Sequence, residues 1–315
     1  QGPNNGPNHP NPTDPHDTAE NQYSGSMIKG LLSTVSEPDA ATLAKLTATV
    51  EKNNTANDPA RSSAVPNQIG TTSSKIKHVI YIVRENRTFD QELGSNGRGN
   101  ADPSLNLFGE ESAPNTRALA RQFTTFDNFY ADAEVSANGW NWVSQANSNP
   151  WSEEMWPSNY SGRGAPYPAE NNDPESRAKE HDSYFWEHLS KNNISFRNYG
   201  FYTTLDKKGK AHGVDKKILD PNTDHDFIGW SLDCPDSARS FAPMAKNCGP
   251  KSRVDEWKSD FNKQLAKGSV PTVQLVRFGN DHTQATKVGV PTPQAYVADN
   301  DQAIGQLVEL SLIHI

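Results

Sequence analysis

The sequence predicts an α/β domain with a largely parallel sheet, because strand-like and helix-like segments alternate along it. Its 315 residues are enough for one large domain with an appendage, or for two small domains. Residues 76–83, IKHVIYIV, are apolar almost throughout and rich in β-branched side chains, which is typical of a central strand buried on both faces. The predicted strands are residues 76–83, 123–130, 194–199 and 272–278.

Helical patterns lie before and between these strands. In residues 38–52, Leu43, Leu46 and Val50 recur at helical spacing, and Ser36 can cap the start. The other predicted helices are residues 183–190, 254–265 and a last helix from Thr292 through Val308.

Composition divides the chain into three parts. Residues 1–26 are dominated by Asn, Pro, Gly and His, so we expect a disordered linker there. Residues 27–74 are expected to hold a helix and a second linker, and residues 75–315 the main domain. The net charge of -8 argues against a nucleic-acid partner. No apolar run approaches the ~18 residues of a membrane span, which excludes a transmembrane segment.

The two cysteines of the chain are relevant to the cellular location of the protein. Cys234 and Cys248 flank a loop of about 15 residues, which a disulfide would stabilise by roughly 3 kcal/mol. A disulfide would indicate an exported protein, secreted or periplasmic. Two unpaired thiols are the alternative.

Three segments carry side chains suited to catalysis, and the first ends the strand at residues 76–83. Glu85 and Asn86 would present a carboxylate and an amide oxygen at the sheet edge, and both are ligands suited to a divalent cation. In the alternative interpretation, Glu85 pairs with Arg87 and Asn86 only turns the chain.

The second segment, residues 132–142, follows the predicted strand 123–130. If a helix begins at Ser136, its amide groups and dipole would favour a bound phosphate and a serine alkoxide. A serine needs such activation because its free hydroxyl is a poor nucleophile. The alternative is that Ser136 only caps the helix. Asn138 in the same segment is a candidate substrate-binding residue.

The third segment, Gly279 to Thr283, follows the predicted strand 272–278. His282 could donate to a phosphate oxygen or protonate a leaving group, or it could simply be a loop histidine bonded to Asp281. His225 is a weaker candidate for substrate binding.

These motifs resemble a bacterial phosphoesterase family within the alkaline phosphatase superfamily, which contains acid phosphatases and phospholipases C. Residues 77–94, KHVIYIVRENRTFDQELG, resemble the opening motif of that family, and residues 132–141 resemble its nucleophile segment. The later signature is matched by residues 280–283 and 298–301, and FRNYG at 196–200 also fits. The likeness covers roughly residues 75–310. Residues 26–53 also resemble the exit of a surface propeller that precedes such domains, so the alternative interpretation of residues 1–26 is the remnant of an upstream propeller domain.

The resemblance implies a three-layer α/β/α sandwich that hydrolyses small phosphate monoesters. It implies a divalent metal ion of unknown identity, held by Glu85, Asn86 and a later Asp-Asp pair. Ser136 would be the nucleophile, with Thr88 as the second hydroxyl to consider, and His282 would assist the phosphate or the leaving group.

The same resemblance implies an incomplete domain. The expected Asp-Asp pair and its strand do not follow the last helix, so we expect a weak metal site and little activity from this chain. The alternatives are a phospholipase C-type phosphodiesterase and a non-catalytic surface binding module.

Overall fold

A computed structural model describes residues 32–53, 75–85, 87–161, 164–170, 184–237 and 248–314. The predicted linker at residues 1–26 and the predicted ligand Asn86 lie outside the described residues. The chain forms two compact units, residues 1–77 and 78–315. In the first unit, helix α1 (Ala40–Asn53) confirms the helix predicted at 38–52, and none of its residues is buried.

The second unit mixes helices and strands. Its helices are α2 (Phe89–Leu93), α3 (Pro114–Gln122), α4 (Ser136–Gln145), α5 (Pro150–Tyr160), α6 (Phe185–Lys191), α7 (Arg253–Ala266) and α8 (Pro293–His314). Its strands are β1 (Val79–Val83), β2 (Phe196–Tyr199), β3 (Thr203–Leu205), β4 (Ala211–Gly213) and β5 (Val273–Arg277). Short 3-10 helices lie at Pro103–Leu105, Asp220–Asn222 and Asn280–His282.

The main sheet has three parallel strands in the order β1-β5-β2, which confirms the predicted α/β class. All five residues of β5 are buried, as expected for a central strand. The apolar run that contains β1 led to the prediction that this strand lies in the centre of the sheet. Among the described strands, that prediction is wrong. β1 lies at the edge, and Val79 is 47% exposed. A strand covered by helices on its two faces has the same apolar pattern whether its edge is paired or open.

Helices contact both faces of the sheet. Ile80 and Ile82 of β1 pack against a core formed by side chains of β2, β5, α7 and α8. The side chain between them points to the opposite face, as the strand period requires. There the ring of Tyr81 lies 6.3 Å from Phe185 of α6 and 6.0 Å from Phe201.

The prediction of a strand at residues 123–130 is wrong. The segment is a loop in which Phe126, Phe129 and Tyr130 are 71%, 83% and 80% exposed. The carboxylate of Asp127 accepts hydrogen bonds from the amides of Asn100 and Asn128. Such side-chain to backbone bonds compete with strand pairing, and aromatic content alone did not reveal this. Residue 136 therefore follows a loop instead of a strand.

Cys234 and Cys248 form a disulfide, so the first of the two alternatives holds. Both cysteines are buried in a small cluster with Ile228. The bridge spans a sequence separation of 14 and contributes about 3 kcal/mol by the loop-entropy estimate. The bond is compatible with an extracellular protein. Among the described residues, no helix is both long and apolar enough to cross a membrane.

Candidate functional site

A cleft of about 1240 Å³ opens between the end of β1 and the start of α4. Its wall includes Arg87 and Thr88 from the segment after β1, and Ser136 from α4. The proposed nucleophile and the second candidate hydroxyl therefore line one space. His188 of α6 is the histidine among the described residues that line the cleft.

Ser136 is the first residue of the ten-residue helix α4. Val135 occupies the N-cap position, so Ser136 does not act as the helix cap. The amide of Ala137 donates to the phenol oxygen of Tyr160 at 3.2 Å. Burial raises the pKa of Tyr160, while hydrogen bonds from the Ala137 amide and the Ser136 side chain oppose that rise. The serine hydroxyl thus lies at a helix N-terminus beside a phenol.

Asn138 is the third residue of the same helix and is buried. Its side-chain amide donates to a carboxylate oxygen of Glu153 at 2.7 Å. Its side-chain oxygen has no hydrogen-bond partner within the described part of the chain. Binding of substrate by Asn138 stays a prediction.

Glu85 is held by Arg277, the last residue of β5. The guanidinium donates to Glu85 at 3.0 Å and also forms an ion pair with Glu170, and it lies between the rings of Trp140 (4.3 Å) and Trp230 (4.6 Å). The Arg277 and Glu85 side chains are only 5% and 6% exposed. Burial lowers the pKa of Arg277, but the two carboxylates raise it to a net value above the ordinary one.

A series of polar side chains connects Ser136 with Glu85. The phenol of Tyr167 donates to Glu170 at 3.4 Å, and its ring lies 6.3 Å from that of Tyr160. Burial raises the pKa of Glu170, and the neighbouring guanidinium opposes that shift. The series is Ser136, Tyr160, Tyr167, Glu170, Arg277 and Glu85.

These surroundings do not fit a metal ion at Glu85. One carboxylate oxygen already accepts from a guanidinium at 3.0 Å, so a metal ion bound to this carboxylate would lie close to a buried positive charge. In the described ranges, the groups of three or more potential metal ligands do not include Glu85. The alternative prediction, that Glu85 pairs with Arg87, differs from the structure, in which Glu85 pairs with Arg277 and Arg87 donates to the backbone oxygens of Asp281 and His282.

His282 lies in the 3-10 helix after β5. Its ring packs edge-on against Trp230 at 5.2 Å, and its Nδ1 lies 2.9 Å from the carbonyl oxygen of Thr283. Arg87 links it to the cleft, because Arg87 lines the cleft and its guanidinium donates to the His282 carbonyl at 2.8 Å. Its role in catalysis stays a prediction.

His225 lies elsewhere in the second unit. Its Nδ1 is 2.6 Å from the carbonyl oxygen of Ala211, and its ring is 4.6 Å from that of His212 on β4. It is not among the described residues that line the cleft. Substrate binding by His225 also stays a prediction.

Three charged residues of this region were not predicted as site residues from the sequence: Arg277, Glu170 and Asp281. One signal was present for Arg277, which ends the apolar strand VQLVR with a cation at the carboxyl edge of the sheet. Asp281 was noted only as a neighbour of His282. Its carboxylate accepts the Glu85 amide at 3.1 Å and faces Arg84 at 3.5 Å.

Stability should depend on pH through Asp281. Burial raises its pKa to about 7, against the opposing charge of Arg84. The folded state therefore keeps a proton that the unfolded state releases above pH ~4, so the contribution of Asp281 to stability falls as pH rises from about 4 to about 7. The slope is at most roughly 1.4 kcal/mol per pH unit.

Urea unfolding of the wild type and of Asp281→Asn at several pH values in this window measures the effect. The free energy of unfolding of the wild type minus that of the variant should decrease with rising pH. A difference that stays flat or increases would contradict the assignment.

No model of a known family, no curated protein and no solved structure matches the chain. The support for a function is therefore the sequence motifs together with the geometry of the cleft.

Proposed function

We propose that this protein is a phosphoesterase that hydrolyses phosphate monoesters with Ser136 as the nucleophile. One observation carries the proposal: Ser136 begins a ten-residue helix and lines a large cleft. A helix N-terminus presents amide donors and a partial positive charge, which favour a bound phosphate and an ionised serine.

The residues of the cleft have separate tasks in this proposal. The oxygen of Ser136 attacks phosphorus, the ester oxygen leaves, and the serine proton ends on that oxygen as an alcohol is formed. Water then cleaves the phosphoserine, which releases inorganic phosphate and restores the serine hydroxyl. The positive end of the α4 dipole stabilises the charge on the phosphate oxygens, while the Ala137 amide donates to Tyr160. Arg87 brings a cation to the wall of the cleft, because its guanidinium donates to the uncharged backbone oxygens of Asp281 and His282. Tyr160 orients the serine hydroxyl.

The proposal includes the three-layer α/β/α sandwich and an exported protein. Helix contacts on both faces of the sheet support the first, and the Cys234–Cys248 disulfide supports the second. An upstream propeller domain is part of the same resemblance. A resident divalent metal ion is implied as well, but Glu85 is engaged by Arg277, and Asn86 lies outside the described residues. The proposed steps therefore use no metal ion.

A second candidate substrate is a phospholipid diester, and a specific surface favours it. The polar composition of the chain argues against an apolar lipid-contacting surface, yet Phe126, Phe129 and Tyr130 are largely exposed. Phe129 and Tyr130 line the cleft itself. Exposed apolar patches mark binding sites, and composition averages over the chain do not reveal them.

Colorimetric assays of this chain test the proposal. We expect slow hydrolysis of p-nitrophenyl phosphate that persists after treatment with EDTA, because no proposed step uses a metal ion. Parallel assays with p-nitrophenyl phosphorylcholine and with phosphatidylcholine vesicles decide between monoester and lipid diester. Absence of hydrolysis of all three substrates, with and without added Mg²⁺ or Mn²⁺, would contradict a phosphoesterase and favour a non-catalytic binding module.

A further inference from the structure

We propose that His212, Asp220 and His225 form a binding site for one divalent transition-metal ion of the Zn²⁺ type. One ligand atom from each of the three residues lies within 4.8 Å of the other two. His212 belongs to β4, Asp220 begins a 3-10 helix, and His225 lies in the loop that follows. None of the three is among the described residues that line the cleft, so this site is independent of the phosphoesterase proposal.

The spacing of the donor atoms suits tetrahedral coordination. Nδ1 of His212 lies 3.3 Å from a carboxylate oxygen of Asp220. Two ligands bound to zinc at about 2.0–2.1 Å in a tetrahedron are roughly 3.3 Å apart. The ring of His225 lies 4.6 Å from that of His212, which places a third ligand atom within 4.8 Å of the other two.

Each histidine is oriented by a partner on its other ring nitrogen. Nδ1 of His225 lies 2.6 Å from the carbonyl oxygen of Ala211, an acceptor only, so Nδ1 carries the proton and Nε2 carries the lone pair. Nε2 of His212 lies 3.6 Å from the carboxylate of Asp206, which leaves Nδ1 for the ion. Metal-binding histidines are commonly held in this way by a backbone carbonyl or a carboxylate.

The backbone in turn positions the two carboxylates. Asp220 accepts the amide of Gly213 at 2.7 Å, and the oxygen of Asp206 that does not face His212 accepts the amides of Lys208 and Lys210.

The chemistry of the three ligands indicates which metal the site would bind. Two imidazoles with one carboxylate favour zinc, copper or nickel over Mg²⁺ and Ca²⁺, which prefer oxygen ligands alone. Three protein ligands leave a fourth position for water or an external ligand.

Calorimetric titration of the whole chain with ZnCl₂ at neutral pH tests the site. We expect the wild type to show a zinc-binding step that His212→Ala and His225→Ala each remove or weaken at least tenfold. Asp206→Asn, which removes only the partner of a ligand, should weaken the same step by roughly 10- to 100-fold or less. The matched control His78→Ala, whose ring contacts the Pro271 carbonyl, should bind zinc like the wild type.

Circular dichroism and the metal-free melting temperature show whether each variant is folded. His225 is exposed, so His225→Ala remains informative if His212→Ala fails to fold. Zinc binding that is the same in the wild type, His225→Ala and Asp206→Asn would overturn the proposal, because the metal would then bind elsewhere, for example at His9 or His16. A wild type that binds Mg²⁺ as tightly as zinc, or binds no zinc, would overturn it as well.

Discussion

Replacing Arg277 by methionine should destabilise the second unit by about 3–5 kcal/mol. Arg277 is the cation shared by Glu85 and Glu170, and all three side chains are at most 15% exposed. Methionine fills most of the same volume but leaves two buried carboxylates without a counter-charge. It also removes the guanidinium from between the rings of Trp140 and Trp230.

Chemical denaturation followed by circular dichroism measures this loss. The matched control is Arg121→Met, because Arg121 pairs with Glu110 at the surface. The Arg121 side chain is 41% exposed and that of Glu110 is 56% exposed. An exposed pair contributes about 0–1 kcal/mol and the hydrogen bond from Arg121 to the Asn96 side-chain oxygen about 0.5–1.5 kcal/mol, so the control should lose less stability than Arg277→Met. Adding Glu85→Gln and Glu170→Gln to Arg277→Met should recover part of the loss. Equal effects of the two arginine variants, or no recovery, would show that charge compensation is not what Arg277 supplies.

Elements with a strong local signal could be predicted from the sequence. The apolar run that ends in β1 and the buried strand β5 were recognisable, and so was the last helix, α8. The segment around Phe126 failed for a physical reason. Its aromatic residues suit a strand only when a neighbouring strand pairs with it, and there Asp127 binds nearby backbone amides instead. Pairing partners are distant in the sequence and leave no local pattern.

In the candidate site, too, some features could be predicted from the sequence and others could not. A helix beginning at Ser136 entered the prediction only as a condition, and the structure contains that helix, although the strand expected before it is a loop. The partner of Glu85 depends on packing between distant segments, since Arg277 reaches it only when β5 pairs with β1. Sequence spacing therefore located the charged strand end, but it could not reveal that a guanidinium lies there.

Ser136→Ala should reduce hydrolysis of p-nitrophenyl phosphate to the background rate, a loss of roughly 1000-fold or more if the wild-type rate permits that range. The variant lacks the oxygen that attacks phosphorus, and the α4 amides alone cannot form the covalent intermediate. Its free energy of unfolding should change by less than about 0.5 kcal/mol, because Val135 and not Ser136 occupies the N-cap position. Loss of activity with retained stability separates a catalytic role from a structural one.

Two further serine and threonine variants make the assignment specific. Ser190→Ala, on the exposed side of α6, is the matched control and should keep the wild-type rate. Thr88→Ala tests the other hydroxyl that lines the cleft. If Thr88→Ala abolishes hydrolysis and Ser136→Ala does not, the nucleophile is Thr88. The covalent intermediate can be trapped by acid quenching during turnover and located by mass spectrometry. We expect the phosphoryl group on the peptide that contains Ser136. An unmodified Ser136 together with a phosphorylated Thr88 would show that Thr88 is the nucleophile. Since both hydroxyls border one cleft, only this covalent mark distinguishes the atom that attacks from one that merely contacts the substrate.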